Sequence, residues 1–243
     1  MHPIDARNLA FYEQVADRFS RTRSRPWRGW MEIDLPNLPV ARVLDVGCGN
    51  GRLYEHLLGQ SRGALDYLGV DFSPALLDHA RQRAARLRRD EDRVEWRQLD
   101  VHSLDPTETS LFDRIYLFGV MHHVAERGRR EALLRTLGRC LQPTGQLWVT
   151  HWRFDADDGY RPPSAAPPPP SPNEREGHWL SFDGVGQRFC VAIEEAEIDS
   201  YPEACDLVER RRFFADGRTG RMNLYVIYEK PPQPSLDGHG DGA

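Results

Sequence analysis

The sequence has almost no lysine: Lys230 stands alone against 31 arginines. Such a ratio reflects a GC-rich genome more readily than 31 phosphate contacts, so the arginine count assigns no polyanionic partner. Nor is the chain basic as a whole. Its net charge of -5 and isoelectric point near 6.0 argue against a globally basic nucleic-acid binder and leave room for a local patch. Cysteine is also scarce. Cys48, Cys140, Cys190 and Cys205 are scattered without a CxxC pair. They suggest neither a zinc site nor a disulfide scaffold, and a reducing compartment fits best. No apolar run approaches the roughly 20 residues that span a bilayer, and the N-terminus lacks the apolar stretch of a signal peptide. The expectation is a soluble, cytoplasmic protein with no membrane partner.

What is present suits one sizeable core: 243 residues, 40% of them hydrophobic. In residues 5–19, Leu9, Tyr12, Ala16 and Phe19 recur at helical spacing. ARVLDV (41–46) is a short apolar run that stops at glycines and reads as a buried strand. GRLYEHLL (51–58) suits a helix, and YLGVD (67–71) a second strand. Ser73-Pro74 marks a helix start, an N-cap hydroxyl followed by a first-turn proline. Leu77, Ala80, Ala84 and Leu87 carry that helix onward. Strands are expected at 94–98, 112–119 and 145–152, with a helix over roughly 129–141. Strands alternating with helices predict an α/β fold, a mostly parallel sheet covered on both faces. Four consecutive prolines make residues 162–172 an extended, exposed loop. VERRRFFA (208–215) and NLYVIYE (223–229) read as closing strands, and the Pro- and Gly-rich residues 231–243 as a disordered tail.

The strongest chemical signal is VLDVGCGNG (43–51). A strand ends in Gly47, Gly49 and Gly51, and a helix follows. Glycines there let the chain turn sharply and let a ligand lie against bare backbone. Asp71, at the end of the second strand, can accept hydrogen bonds from both hydroxyls of a ribose. A nicotinamide or flavin site needs GxGxxG, and here Arg52 occupies the place of its third glycine.

With Asp45 before it, the spacing instead resembles motif I of class I S-adenosylmethionine-dependent methyltransferases, D/E-x-G-x-G-x-G. That resemblance implies a Rossmann-like, mostly parallel seven-stranded sheet and S-adenosyl-L-methionine as cofactor. It gives Asp45 and the glycines to the cofactor, Asp71 to its ribose, and Leu99 and Asp100 to its adenine. FDRIYLFGVMHHV (112–124) and LQPTGQLWVT (141–150) resemble the fourth- and fifth-strand motifs, with Thr144 replacing a glycine. The match covers about 40–152. Asp71 could alternatively be a solvated strand end, and Asp100 an ordinary helix cap. His122 and His123 invite a catalytic-base or a metal reading. No third ligand is evident, so a structural pair lining the pocket is preferred and no metal is expected.

The flanks are similar to the tRNA wobble-uridine methyltransferases, which esterify 5-carboxymethyluridine. Their Y-x-x-I-A-x-x-F-S-x-T-R-x-x-P-W-P pattern is met by Tyr12, Ala16, Phe19, Ser20, Thr22, Arg23, Pro26 and Trp27. The His122-His123 pair, Arg129-Arg130, Trp152, Asn223 and, loosely, 188–201 also match. Arg28 replaces the last proline, and Phe189, Cys190 and Val191 replace the Y-Y-H of R-Y-Y-H. The resemblance implies a cap and substrate arm over 1–39, a methyltransferase domain over 40–230, tRNA as partner, and a small activator subunit as in the eukaryotic relatives. It points to Arg23 orienting the acceptor carboxylate, His122 and His123 at the reaction centre, and Tyr12, Trp27 and Trp152 at the acceptor. A small-molecule carboxylate or hydroxyl is the alternative acceptor, and a non-catalytic binding protein the more distant one.

Overall fold

The structure, a computed structural model, describes residues 1–107, 111–154 and 177–231. Five strands run parallel: β1 (Val40–Val46), β2 (Ala64–Asp71), β3 (Arg93–Gln98), β4 (Phe112–Leu117) and β5 (Leu141–Trp152). Two later strands, β8 (Val208–Ala215) and β9 (Asn223–Glu229), complete a seven-stranded sheet of order β3-β2-β1-β4-β5-β9-β8. β9 is antiparallel to both neighbours. The strand order reverses between β1 and β4, which opens a crevice beyond their carboxyl ends.

The helices follow from local chemistry. Pro3 stands in the first turn of α1 (Pro3–Thr22). Ser73 caps α3 (Pro74–Leu87), its hydroxyl accepting from the Leu76 N–H at 3.2 Å. Strand residues alternate between two cores. On one face Leu44, Val46, Ile115, Leu117, Leu147 and Val149 meet Leu133, Leu134 and Leu137 of α4 (Arg127–Arg139) and Ile198 of α5 (Glu195–Cys205). On the other, Val43, Leu65, Tyr67 and Trp148 meet Leu53, Tyr54 and Leu57 of α2 (Arg52–Leu58). Each such side chain contributes about 1.5–3 kcal/mol when fully buried. Arg130, 2% exposed, clamps α4 to α5 through both carboxylate oxygens of Glu197 at 2.7 and 2.8 Å.

Three elements were not anticipated. β6 (His178–Phe182) and β7 (Gly186–Cys190) form a separate antiparallel hairpin, and α5 follows it. The buried face of α1 is also turned from the expected one. Ile4, Asn8, Phe11 and Val15 go inward together with Ala16 of the expected face, while Tyr12 and Phe19 border the crevice. The helix is wedged between the hairpin and α3, so it carries two working edges. β5 begins at Leu141, four residues earlier than the glycine suggests, at the cost of a register shift against β4. The proline stretch 162–172 and all of the tail beyond Pro231 lie outside the described residues. Among the described residues no helix is long and apolar enough to cross a membrane.

Candidate cofactor and acceptor site

The turn after β1 is shaped by its glycines. Gly47 has φ +73°, and a Cβ there would stand 2.3 Å from the Val120 side chain. Its N–H donates to the Val70 carbonyl at 2.8 Å, which ties the turn to β2. Gly51, also left-handed at φ +74°, is the residue before α2. A Cβ on it would lie 3.0 Å from Ala80 and from Trp96. Gly51 therefore works in packing α2 against α3, and only Gly47 and Gly49 of the three border the cavity.

That cavity, about 730 Å³, occupies the crevice. Asp71 organises it. One carboxylate oxygen accepts from the Gly49 N–H at 2.8 Å and the other from the Ser73 N–H at 2.9 Å. Asp71 is thus no solvated strand end; it is 5% exposed. A carboxylate offers about four acceptor sites, so capacity remains for hydroxyls of a sugar. Burial, partly offset by those backbone N–H groups, raises its pKa to about 6. Asp45 accepts from the Tyr67 hydroxyl at 2.5 Å, and burial raises its pKa to about 7. Asp100 borders the cavity and also caps the turn at Val101–Ser103, accepting from the His102 N–H at 3.0 Å. Leu99 is different. Its N–H donates to the Asp71 carbonyl at 2.9 Å, but its side chain packs against the main core rather than on the cavity.

Two buried carboxylates facing one cavity, neither ion-paired among the described residues, favour a cationic ligand and disfavour a diphosphate. A sulfonium or an ammonium would meet that requirement, and bare backbone at Gly47 and Gly49 lets a ligand approach closely.

The N-terminal arm closes the other side. The Asn50 amide donates to the Arg23 carbonyl at 3.2 Å and the Arg52 guanidinium to the Arg25 carbonyl at 2.9 Å, so the arm is fastened to the glycine turn. Arg23 is half-buried at the cavity wall, its guanidinium carbon 5.6 Å from the Phe19 ring centre. Burial and the neighbouring Arg188 lower its pKa. Trp27 borders the cavity but is already packed, 5.4 Å from Trp30 and 6.3 Å from Phe118 between ring centres.

The histidines sit on the short turn Met121–His123. Tyr12 shares a 2.8 Å hydrogen bond with His123 Nε2, and His123 Nδ1 donates to the Phe189 carbonyl at 2.9 Å. Burial first, then the charge of Arg188, push His123 down to about 3. His122 is pushed well below its usual range by the same burial, and its Nδ1 has no hydrogen-bond partner. Both imidazoles are therefore neutral near pH 7. A third group that sequence spacing did not disclose, Cys190, joins them, with ligand atoms of all three within 4.8 Å of one another. The adjacent Arg188 opposes a further cation there. Trp152 stands edge-on to His122 at 5.1 Å.

Sequence reasoning also missed Asn8 and Arg188 as site residues. Asn8 holds the hairpin, its carbonyl oxygen accepting from the Phe189 N–H at 2.8 Å. Its signal was a polar residue one position from the expected apolar face of α1. Arg188 had only the loosely matching stretch at 188–201 to announce it.

Residues 44–147 match a family model described as a methyltransferase domain. Over 148 residues the chain is 31% identical to the mouse tRNA (carboxymethyluridine(34)-5-O)-methyltransferase ALKBH8, covering 60% of this chain and 20% of that protein. It is 28% identical over 145 residues to the bovine probable tRNA methyltransferase 9B, 59% of this chain and 28% of that one. A ubiquinone biosynthesis O-methyltransferase of Xanthomonas oryzae pv. oryzae is 27% identical over 159 residues, 58% of this chain and 61% of the relative. The chain thus spans about a fifth to three-fifths of the length of these curated relatives. Among solved structures, an S-adenosylmethionine-dependent methyltransferase from Clostridium acetobutylicum has a TM-score of 0.61 at 13% identity, covering 90% of this chain and 99% of that one. The N-methyltransferase NodS from Bradyrhizobium japonicum, in complex with S-adenosylhomocysteine, has a TM-score of 0.58 at 19% identity, covering 92% and 99%. Residues 44–147 thus match a methyltransferase domain, and the seven-stranded fold is that of solved S-adenosylmethionine-dependent methyltransferases.

Proposed function

We propose that the protein methylates the carboxylate of a carboxymethylated wobble uridine in tRNA, with S-adenosylmethionine as donor. The observation that carries this reading is one cavity with acids at its glycine end and Arg23 at its wall. The relatives named for tRNA methylation support it. When bound, the cofactor supplies an activated methyl group on a positive sulfur, and an acceptor carboxylate displaces that sulfur as a neutral thioether with no proton released. The chain's own residues then position. Gly47 and Gly49 receive the adenosyl group, Asp71 its sugar, Asp100 its adenine, and Asp45 its positive charge. Arg23 orients the acceptor, and such alignment is worth up to about 7–11 kcal/mol. A carboxylate is ionised at neutral pH and needs no base, so the role left to His122 and His123 is that of neutral wall. Tyr12, Trp27 and Trp152 flank the acceptor. A tRNA acceptor places the work in the cytoplasm, and turnover by the chain alone tests whether an activator subunit is needed.

The test is nucleoside mass spectrometry of tRNA from cells with and without the gene. Loss of the methyl ester at the wobble position is expected, and unchanged wobble nucleosides remove the tRNA reading. The second reading, a small-molecule carboxylate or hydroxyl acceptor, is favoured by the acidic isoelectric point near 6.0 and by the ubiquinone-pathway relative. A labelled product from a metabolite extract, with none from RNA, supports it.

A further inference from the structure

Asn223 opens β9 in register with Trp152, the last residue of β5, and so stands at the carboxyl edge of the parallel strands. It borders the cavity and is 2% exposed. Its side-chain amide is held at one end. Nδ2 donates to the Asp216 carboxylate at 2.8 Å, and among the described residues the amide makes no other hydrogen bond. Asp216, itself buried, also accepts from the Tyr225 hydroxyl at 2.7 Å and from the Gly29 N–H at 3.1 Å. A carboxylate that gathers donors fixes which way the amide points, because the reverse orientation sets oxygen against oxygen. Nδ2 therefore faces Asp216, and Oδ1 is left as an acceptor at the cavity wall. The Gly29 contact ties the arm, two residues after Trp27, to the same carboxylate. A Cβ on Gly29 would stand 2.4 Å from the Tyr225 ring, so the approach needs glycine.

The sheet order sets Asn223 apart from the glycine turn. β9 is three strands from β1 and four from β2. At about 4.8 Å per strand, that is about 14 Å from the end that carries Asp45 and about 19 Å from Asp71. The acids receive the donor at their end, so the group that meets Asn223 belongs to the acceptor. Phe118 beyond β4 and Trp152 at the end of β5 border the same cavity and offer flat apolar surface to a planar ring. The acceptor carboxylate has no hydrogen to give an amide oxygen. The imide N–H of a pyrimidine has one.

We propose that Asn223 is a specificity-determining residue whose Oδ1 accepts from the ring N–H of a pyrimidine imide, so that the site selects a uracil ring able to donate there. The inference rests on reading this cavity as the site of a carboxymethylated uridine acceptor. A ring without that N–H leaves the buried oxygen unpaired, a loss of about 10-fold in affinity.

The test is calorimetry of 5-carboxymethyluridine and its N3-methyl derivative on protein saturated with S-adenosylhomocysteine, in the wild type and in Asn223→Ala. The wild type is expected to bind 5-carboxymethyluridine about 10-fold or more tighter than the derivative. In Asn223→Ala that preference should shrink to within about two-fold, because the acceptor is gone and the methyl group gains room. Affinity of the variant for S-adenosylhomocysteine should stay within about two-fold, which reports an intact fold. The Asn223 side-chain N–H signals of 15N-labelled wild-type protein, assigned by their loss in the variant, should move as 5-carboxymethyluridine binds. Equal affinity of the wild type for the two nucleosides overturns the inference and leaves the acceptor reading standing. A preference that survives in Asn223→Ala, or Asn223 signals that stay still while 5-carboxymethyluridine binds, does the same. If the variant fails to fold, the wild-type affinities and the wild-type signals, assigned from the backbone, decide. Binding of neither nucleoside to protein that holds S-adenosylhomocysteine overturns the inference together with the uridine reading.

Discussion

Replacing Asp71 with Asn separates binding from folding. The carboxylate now serves two backbone donors, Gly49 and Ser73, and has capacity left for the ribose. The amide keeps one oxygen, and the Gly49 or Ser73 N–H claims it. Loss of a charge-assisted contact to the sugar costs about 1.5–3 kcal/mol, a roughly 10- to 150-fold rise in Kd. One backbone N–H also loses its acceptor, which costs the fold about 1–3 kcal/mol. Against this, the native ionised carboxylate bears a burial penalty, its pKa standing near 6 rather than 3.8. That shift corresponds to about 3 kcal/mol near neutral pH, which the neutral amide recovers. The two stability effects nearly cancel, so affinity should fall while the melting temperature moves by less than about 4 °C. Isothermal calorimetry with S-adenosylhomocysteine and a thermal melt of the same sample measure both. A folded Asp71→Asn protein whose Kd is within two-fold of wild type refutes the role given to this acid.

Three further outcomes follow from the site. Arg23→Ala should leave affinity for S-adenosylhomocysteine within about two-fold and lower turnover at least 10-fold, as a lost charge-assisted contact to the acceptor requires; equal loss of both would merge the two ends of the cavity. Gly51→Ala should destabilise the protein by about 2 kcal/mol, from a left-handed backbone and a Cβ 3.0 Å from Ala80 and Trp96, read as a lowered midpoint in urea. Cofactor affinity should fall on acidification from about pH 7 to about 5, as Asp45 near 7 and then Asp71 near 6 take up protons, by up to about 10-fold per pH unit for each. Stability of the free protein has the opposite sign. Both folded values lie above 3.8, so the pair's contribution is fully present below about pH 4 and is lost as pH rises through 6 and 7.

The parallel strands and the glycine turn were legible because their signals are local. An apolar run stopped by three glycines, or Ser73 before Pro74, needs no knowledge of what packs against it. The pairing of Asp71 with the turn was legible for a similar reason, since β1 and β2 are adjacent parallel strands in register from Val40 with Ala64 to Val46 with Val70. The hairpin of β6 and β7 was not. Its strands are five residues each, carry Arg188 and Gln187 among apolar residues, and turn at Asp183-Gly184, both left-handed. Its stability comes from Asn8, 181 residues from Phe189 in sequence, and from the α1 face. Cys190 beside His123, 3.8 Å from Sγ to Nδ1, is equally a product of that long-range docking. The arm at 19–27 lay between the two cases: its residues were visible, but its fastening by Asn50 and Arg52 was not.

The central claim is that acids and bare backbone beyond β1 and β2 receive an adenosyl sulfonium donor. A crystal structure of the protein with S-adenosylhomocysteine tests it most directly. The account predicts both ribose hydroxyls on the Asp71 carboxylate, the adenosyl group against Gly47 and Gly49, and the sulfur facing the arm that carries Arg23. A ligand bound elsewhere, or a crevice that prefers a dinucleotide diphosphate, contradicts it.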